Sequence, residues 1–140
     1  MPTLRIIALI LYAVSLFSGL VYGAAYLARD RFMPYHEAAL GRTWEELDLA
    51  TRTLLLALMK TAGGGALGCA IAGAFVLAGP FIAGETWANW ALLATILCSF
   101  LPAVYATFLV HAETGADTPR VPAVAVLVMG AVAFIFCLAQ

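Results

Sequence analysis

Few side chains in this 140-residue chain could do chemistry, and they fall into small groups. Two histidines each stand near a carboxylate, in His36-Glu37 and in His111-Ala112-Glu113. Lys60 sits inside the apolar run LLLALMKTAGGGALGCAIAGAF, shortly ahead of three consecutive glycines. Tyr22 and Tyr105 lie in apolar runs of their own, with Ser18 one helical turn from Tyr22. A histidine beside a carboxylate can move a proton near neutral pH or ligate a metal, and a lysine in an apolar segment can meet an anionic or polar head group. The spacing matches no metal-ligand motif, and both histidines fall at the rim of apolar segments, where a bis-histidine haem would not sit. No metal and no cofactor is therefore expected. Cys69, Cys98 and Cys137 form no CxxC pair and read as small buried hydrophobes.

The elements that must position these groups follow from composition. The chain is 64% hydrophobic and 11% charged, with a mean hydropathy of +1.00. A soluble domain carries about a quarter of its residues charged, so much of this surface must face lipid. A span needs roughly 20 apolar residues. Four stretches qualify, at about 4–28, 53–79, 87–110 and 121–138, and the first is too long for the core of a signal peptide. Backbone polar groups in hydrocarbon must be paired within their own segment. The expectation is an all-α integral membrane protein: one domain over 1–140, an antiparallel four-helix transmembrane bundle with a long first connection containing a short helix.

That connection, 29–52, has its own grammar. Pro34 suits a first helical turn and Gly41 the position beyond a helix end, so PYHEAALG reads as a short helix. Thr43-Trp44-Glu45-Glu46 has the pattern of a capping box, which starts the second long helix near Trp44 and pairs Asp48 with Arg52 at i, i+4. PFIAGE reads as a tight turn, Trp87 and Trp90 as an interfacial anchor, and Pro102 as a kink in the third span. No internal repeat is visible.

Lys60, Gly64 and Gly68 share one helix face by their i, i+4, i+8 spacing. A GxxxG row allows close backbone approach, so Gly64 and Gly68 are expected at a helix contact inside the bundle or between copies. Counting from Thr53 puts the Lys60 Cα about 10 Å below the membrane boundary. Tyr22 and Tyr105 fall at the same depth. The lysine then either snorkels or bonds structurally, or meets a ligand.

Alternating spans bring the first and third connections to one face. That face collects His36, Glu37, His111, Glu113 and nearly all other charges, whereas the opposite face has Arg5 and Glu85. The excess of Lys and Arg there places it in the cytoplasm and both termini outside. The formal charge of −1 and the lack of a basic patch argue against nucleic acid as a partner.

The runs RFMPYHEAALG, LMKTAGGGALG, GETWANWA and TGADTP resemble those of a group of small bacterial four-span membrane proteins of unassigned function. By size and layout alone the chain is similar to the DoxX-like families, in which a long connection follows the first span. The resemblance implies a multi-pass protein of the bacterial inner membrane and carries no catalytic residues.

Three functions fit these residues. The first is binding of a membrane lipid or lipophilic small molecule, such as a quinone, sterol-like lipid or fatty acid, at the charged face; its site would comprise Lys60, Tyr22, Tyr105, His36, His111 and Glu113. The second is a structural or accessory subunit that packs through Gly64 and Gly68 against a second copy or a partner membrane subunit. The third is a membrane enzyme acting on a lipid or quinone with His36 or His111 as acid/base. None of the eight acidic residues lies within a span, which argues against a transporter.

Overall fold

The computed structural model describes residues 3–139, and among these it is helical with no strand. Helix α1 spans Thr3–Ala28, and the short α2 spans Pro34–Leu40. A 3-10 turn at Trp44–Glu46 follows. Helix α3 runs over Leu49–Phe81, with its last turn, Leu77–Phe81, widened to a π-helix. Helices α4, Thr86–Thr114, and α5, Arg120–Leu138, complete the chain. α1, α3, α4 and α5 are each long and apolar enough to cross a membrane. They form an antiparallel ring in which α1 packs on α3 and α5, and α4 on α3 and α5. α1 and α4 face each other diagonally and touch little.

Local chemistry sets the helix ends. Pro34 opens α2, and Gly41 closes it in the left-handed conformation at φ 61°. The Thr43 amide donates to Glu46 Oε2 at 2.7 Å, so the capping box forms, but it closes only the 3-10 turn. Helix α3 begins later than expected, because Asp48 is its N-cap and accepts from the Thr51 amide at 3.0 Å and the Thr51 hydroxyl at 2.6 Å. Those bonds hold the Asp48 carboxyl below its usual range. The expected Asp48–Arg52 pair is absent for the same reason. Arg52 instead donates to the carbonyls of Leu47 (2.8 Å) and Glu45 (2.6 Å) and lies 5.8 Å from the Trp44 ring centre.

PFIAGE is only partly a turn. Pro80 lacks the N–H that would bond one turn back, and the helix widens to the π form there and continues. The chain reverses at Gly84, whose φ is 96°. Helix α4 runs through Pro102 as one helix.

The α1–α3 contact is built on glycine, though not on the pair that spacing suggests. A Cβ on Gly63 would lie 2.6 Å from the Tyr26 Cβ, and one on Gly23 would lie 2.7 Å from the Gly63 carbonyl oxygen. Gly19 meets Ala70, and Gly73 meets Leu16. The GxxxG that joins the bundle is thus Gly19–Gly23 on α1. Gly64 and Gly68 point outward with nothing within 4 Å of an added Cβ, so they do not pack inside the bundle. Each lies one or two positions, hence 100–200° of helix, away from the packing row of Met59, Gly63, Ala66, Ala70 and Gly73.

Two cations brace the same helix pair in reciprocal fashion. Lys60 of α3 donates to the carbonyls of Leu27 and Arg29 at the end of α1. Arg5 of α1 donates to the Phe81 carbonyl at the end of α3, with its guanidinium 5.3 Å from the Phe81 ring centre. The last carbonyls of a helix have no partner within it and carry its partial negative charge, so a cation from the antiparallel neighbour satisfies both needs. Deeper in the bundle, the buried Tyr12 hydroxyl donates to Asn89 Oδ1 at 2.6 Å and ties α1 to α4.

Gly63→Ala should destabilise the protein by about 1–3 kcal/mol through overpacking against Tyr26. Gly64→Ala should be neutral or stabilising by up to about 1 kcal/mol, because it gains helix propensity in open space. Thermal unfolding in detergent distinguishes the two; equal effects would refute the assignment of faces.

Candidate functional site: a phenol- and imidazole-lined cavity

Where α1 and α4 stand apart, near the polar end of the bundle, a cavity of about 260 Å³ opens. Its walls follow helical spacing: Ser18, Tyr22 and Tyr26 from α1; Phe100, Ala103, Thr107 and Val110 from α4; Pro122, Ala123 and Val126 from α5. Phe100 and Val126 are core residues, so the floor of the cavity is the top of the packed core. Helix α2, which contacts α4, supplies Tyr35 and His36 at the mouth. Ala106, Pro119 and Pro122 remain exposed on the rim, so the space is not sealed.

An aromatic series holds the mouth in place. The rings of Tyr22 and Tyr26 lie 4.4 Å apart, those of Tyr26 and His36 6.4 Å, and those of Tyr35 and His36 4.3 Å. The series continues through the buried Phe32, 6.2 Å from His36, to Trp44 at 5.0 Å. Tyr22–Tyr26 is tilted at 46° and the other pairs are edge-to-face, and such edge-to-face pairs add about 0.5–1.5 kcal/mol each beyond their buried area. The hydroxyls of Tyr26 and Tyr35 are hydrogen-bonded to each other, which fastens α2 to α1. On the other side, the buried Thr118 donates to the Thr107 carbonyl at 2.8 Å and folds the α4–α5 connection against α4.

The His36 tautomer follows from its partner. Its Nδ1 accepts the Met33 amide at 3.3 Å, so the neutral ring carries its proton on Nε2. Burial lowers the His36 pKa below its ordinary 6.5 and raises that of Tyr35, so both stand neutral at pH 7.

Of the six residues expected at a site, the structure brings Tyr22 and His36 together and disperses the rest. Lys60 is committed to the carbonyls of Leu27 and Arg29 and does not line the cavity. Tyr105 is 69% exposed on the outer side of α4, because two positions from Ala103 turn a helix by about 200°. His111 Nδ1 donates to the Ala116 carbonyl at 2.9 Å and closes the end of α4. Glu113 is exposed. Sequence spacing left out Tyr35 as a site residue and gave Tyr26 no role. The signal for the pair lay in the sequence, since Tyr22 and Tyr26 are i, i+4, and Tyr35 adjoins His36 in the short helix.

Among the described residues, no three His, Cys, Asp or Glu side chains lie close enough to hold a metal ion. No family model, curated protein or solved structure matches the chain.

Unfolded His36 takes up a proton at its ordinary pKa, and the buried ring only at lower pH. Stability is therefore constant above the ordinary value and is lost as the pH falls from there through the folded value. The melting temperature in detergent should decline as the pH falls below the ordinary histidine value of about 6.5, and His36→Phe should remove part of that decline. An unchanged slope in the variant would contradict the burial of this ring.

Proposed function

We propose that the chain is a small multi-pass protein of the bacterial inner membrane that binds a lipid or lipophilic small molecule in the cavity capped by α2. It belongs on this reading with the small four-span bacterial proteins that it resembles, DoxX-like in layout. The observation that carries the reading is the cavity itself. An apolar floor and walls converge on a cluster of polar groups, Tyr22, Tyr26, Tyr35 and His36, at one end. Ligand sites have this form, mostly apolar with a few placed polar groups that fix orientation. At about 260 Å³ the cavity is smaller than a site that encloses a whole ligand, and it suits the polar end of a lipophile whose tail extends past the open rim into the bilayer.

Native mass spectrometry of protein purified in mild detergent tests this. Wild type should carry a bound species of defined mass, Ala123→Phe should lose it by filling the cavity, and Lys60→Met should keep it while melting at a lower temperature. A bound species that survives Ala123→Phe and disappears with Lys60→Met would move the site to the lysine.

A second reading rests on the outward glycines. Gly64, Gly65 and Gly68 face open space, and each glycine costs a helix about 1 kcal/mol relative to alanine with no packing inside the bundle to offset it. A second copy or a partner membrane subunit seated on that face would recover the cost. Gly68→Leu should then lower the oligomeric mass in detergent without changing bound ligand, whereas an unchanged mass excludes this face as the contact.

A further inference from the structure

We infer that the cavity selects an uncharged lipophile whose polar end is a carbonyl oxygen, as in a ketone, quinone or ester, over one that ends in a carboxylate or phosphate. The inference rests on the cavity being a ligand site and concerns which head group it takes.

The cavity wall contains no charged residue. None of the Lys, Arg, Asp or Glu side chains lines it. Lys60 is engaged on the carbonyls of α1, Arg31 on Glu45 at 3.5 Å, and Arg52 on the carbonyls of Leu47 and Glu45. Arg29, whose buried Nε has no partner among the described residues, and Arg120, 4.0 Å from Asp117, lie close to lining residues in sequence but do not line the cavity. An anion brought into this space would lose its hydration and find no countercharge in the wall, a cost that isolated buried charges do not sustain.

The hydrogen-bond donors of the wall favour a neutral acceptor as well. Ser18, Thr107 and Thr118 each spend their hydroxyl proton on a backbone carbonyl, those of Val14, Val104 and Thr107. The phenols behave differently. Tyr22, Tyr26 and Tyr35 form a row with at most two junctions, of which Tyr26–Tyr35 is made, so three O–H groups cannot all be used within it. At least one phenolic donor is left over. His36 supplies another, because Nδ1 is occupied as an acceptor and the proton resides on Nε2, which has no partner among the described residues. Unused donors without a cation recognise a neutral acceptor, and a carbonyl oxygen with two lone pairs can take both. A bare hydrocarbon end would leave these donors unpaired.

Binding of three probes of similar length to the full chain in detergent decides the matter, read by native mass spectrometry titration at about pH 8, where His36 is neutral. The probes are nonyl methyl ketone, decanoate and decane. Comparison with Ala123→Phe in the same detergent removes partitioning into micelles. The ketone should show the largest loss of affinity on Ala123→Phe. His36→Phe and Tyr35→Phe should each weaken the ketone by about tenfold, the equivalent of one hydrogen bond, while leaving decane unchanged. A merely structural role for either side chain would weaken both probes together, and that result overturns the assignment of donors. Decanoate bound as tightly as the ketone and lost with Ala123→Phe would overturn the neutral-head inference and leave the cavity as a lipophile site. No probe distinguishing wild type from Ala123→Phe would overturn the cavity reading and the inference with it.

Discussion

The contact between α1 and α3 governs the rest of the molecule. Gly23 and Gly63 bring the two backbones so close that neither position has room for a Cβ. At that separation each helix can reach the other's open end, and Lys60 and Arg5 do so in opposite directions. In hydrocarbon an unpaired carbonyl costs several kcal/mol, and there is little hydrophobic force between helices surrounded by lipid tails. Close packing of small residues and satisfaction of helix ends take its place. The basic side chains within the spans thus serve the bundle.

The same contact leaves a cavity elsewhere. α1 is held tightly to α3 and packs on α5, so the diagonal toward α4 stays open near the polar end. Small residues on the facing helices, Ala103 and Ala123, do not fill it, whereas Phe100 and Val126 close it below. The connection after α1 cannot fold as a free loop over this gap, because Phe32 is buried and the Tyr26–Tyr35 hydrogen bond fastens α2 to the bundle. The polar groups that line it are neutral, phenol and imidazole among them, while Lys60, Arg5 and Arg52 are used on backbone carbonyls and Arg31 in a surface pair.

Much of this was legible in the residues, and the exceptions at Gly64, Gly68 and Tyr105 share one cause. The four spans, the short helix closed by Gly41 and the capping box at Thr43 follow from length, hydropathy and turn chemistry, and the structure has them. Position along the bundle was legible too: Lys60 reaches the carbonyls at the end of α1, and Tyr22 and His36 stand at the same end. What failed was rotation about the helix axis. Gly63 packs where Gly64 was expected, and Tyr105 faces outward although its depth matched the site. In a soluble helix the polar face shows which side is out. Here both sides of each span are apolar, so that marker is missing, and one position is a turn of 100°.

The sequence by itself therefore determined the number, order and approximate ends of the helices, because the length of an apolar run and the chemistry of caps and turns are local properties. It also determined that polar side chains collect at one end, since that requires only alternating direction. Only the tertiary structure decided which glycines touch, that Lys60 closes α1 and does not line a cavity, and that Tyr26 and Tyr35 meet across the first connection. Those outcomes depend on how the four helices rotate against one another. In lipid that choice is made by side-chain fit and backbone hydrogen bonding between segments distant in the chain, and neither is written in any single stretch of it.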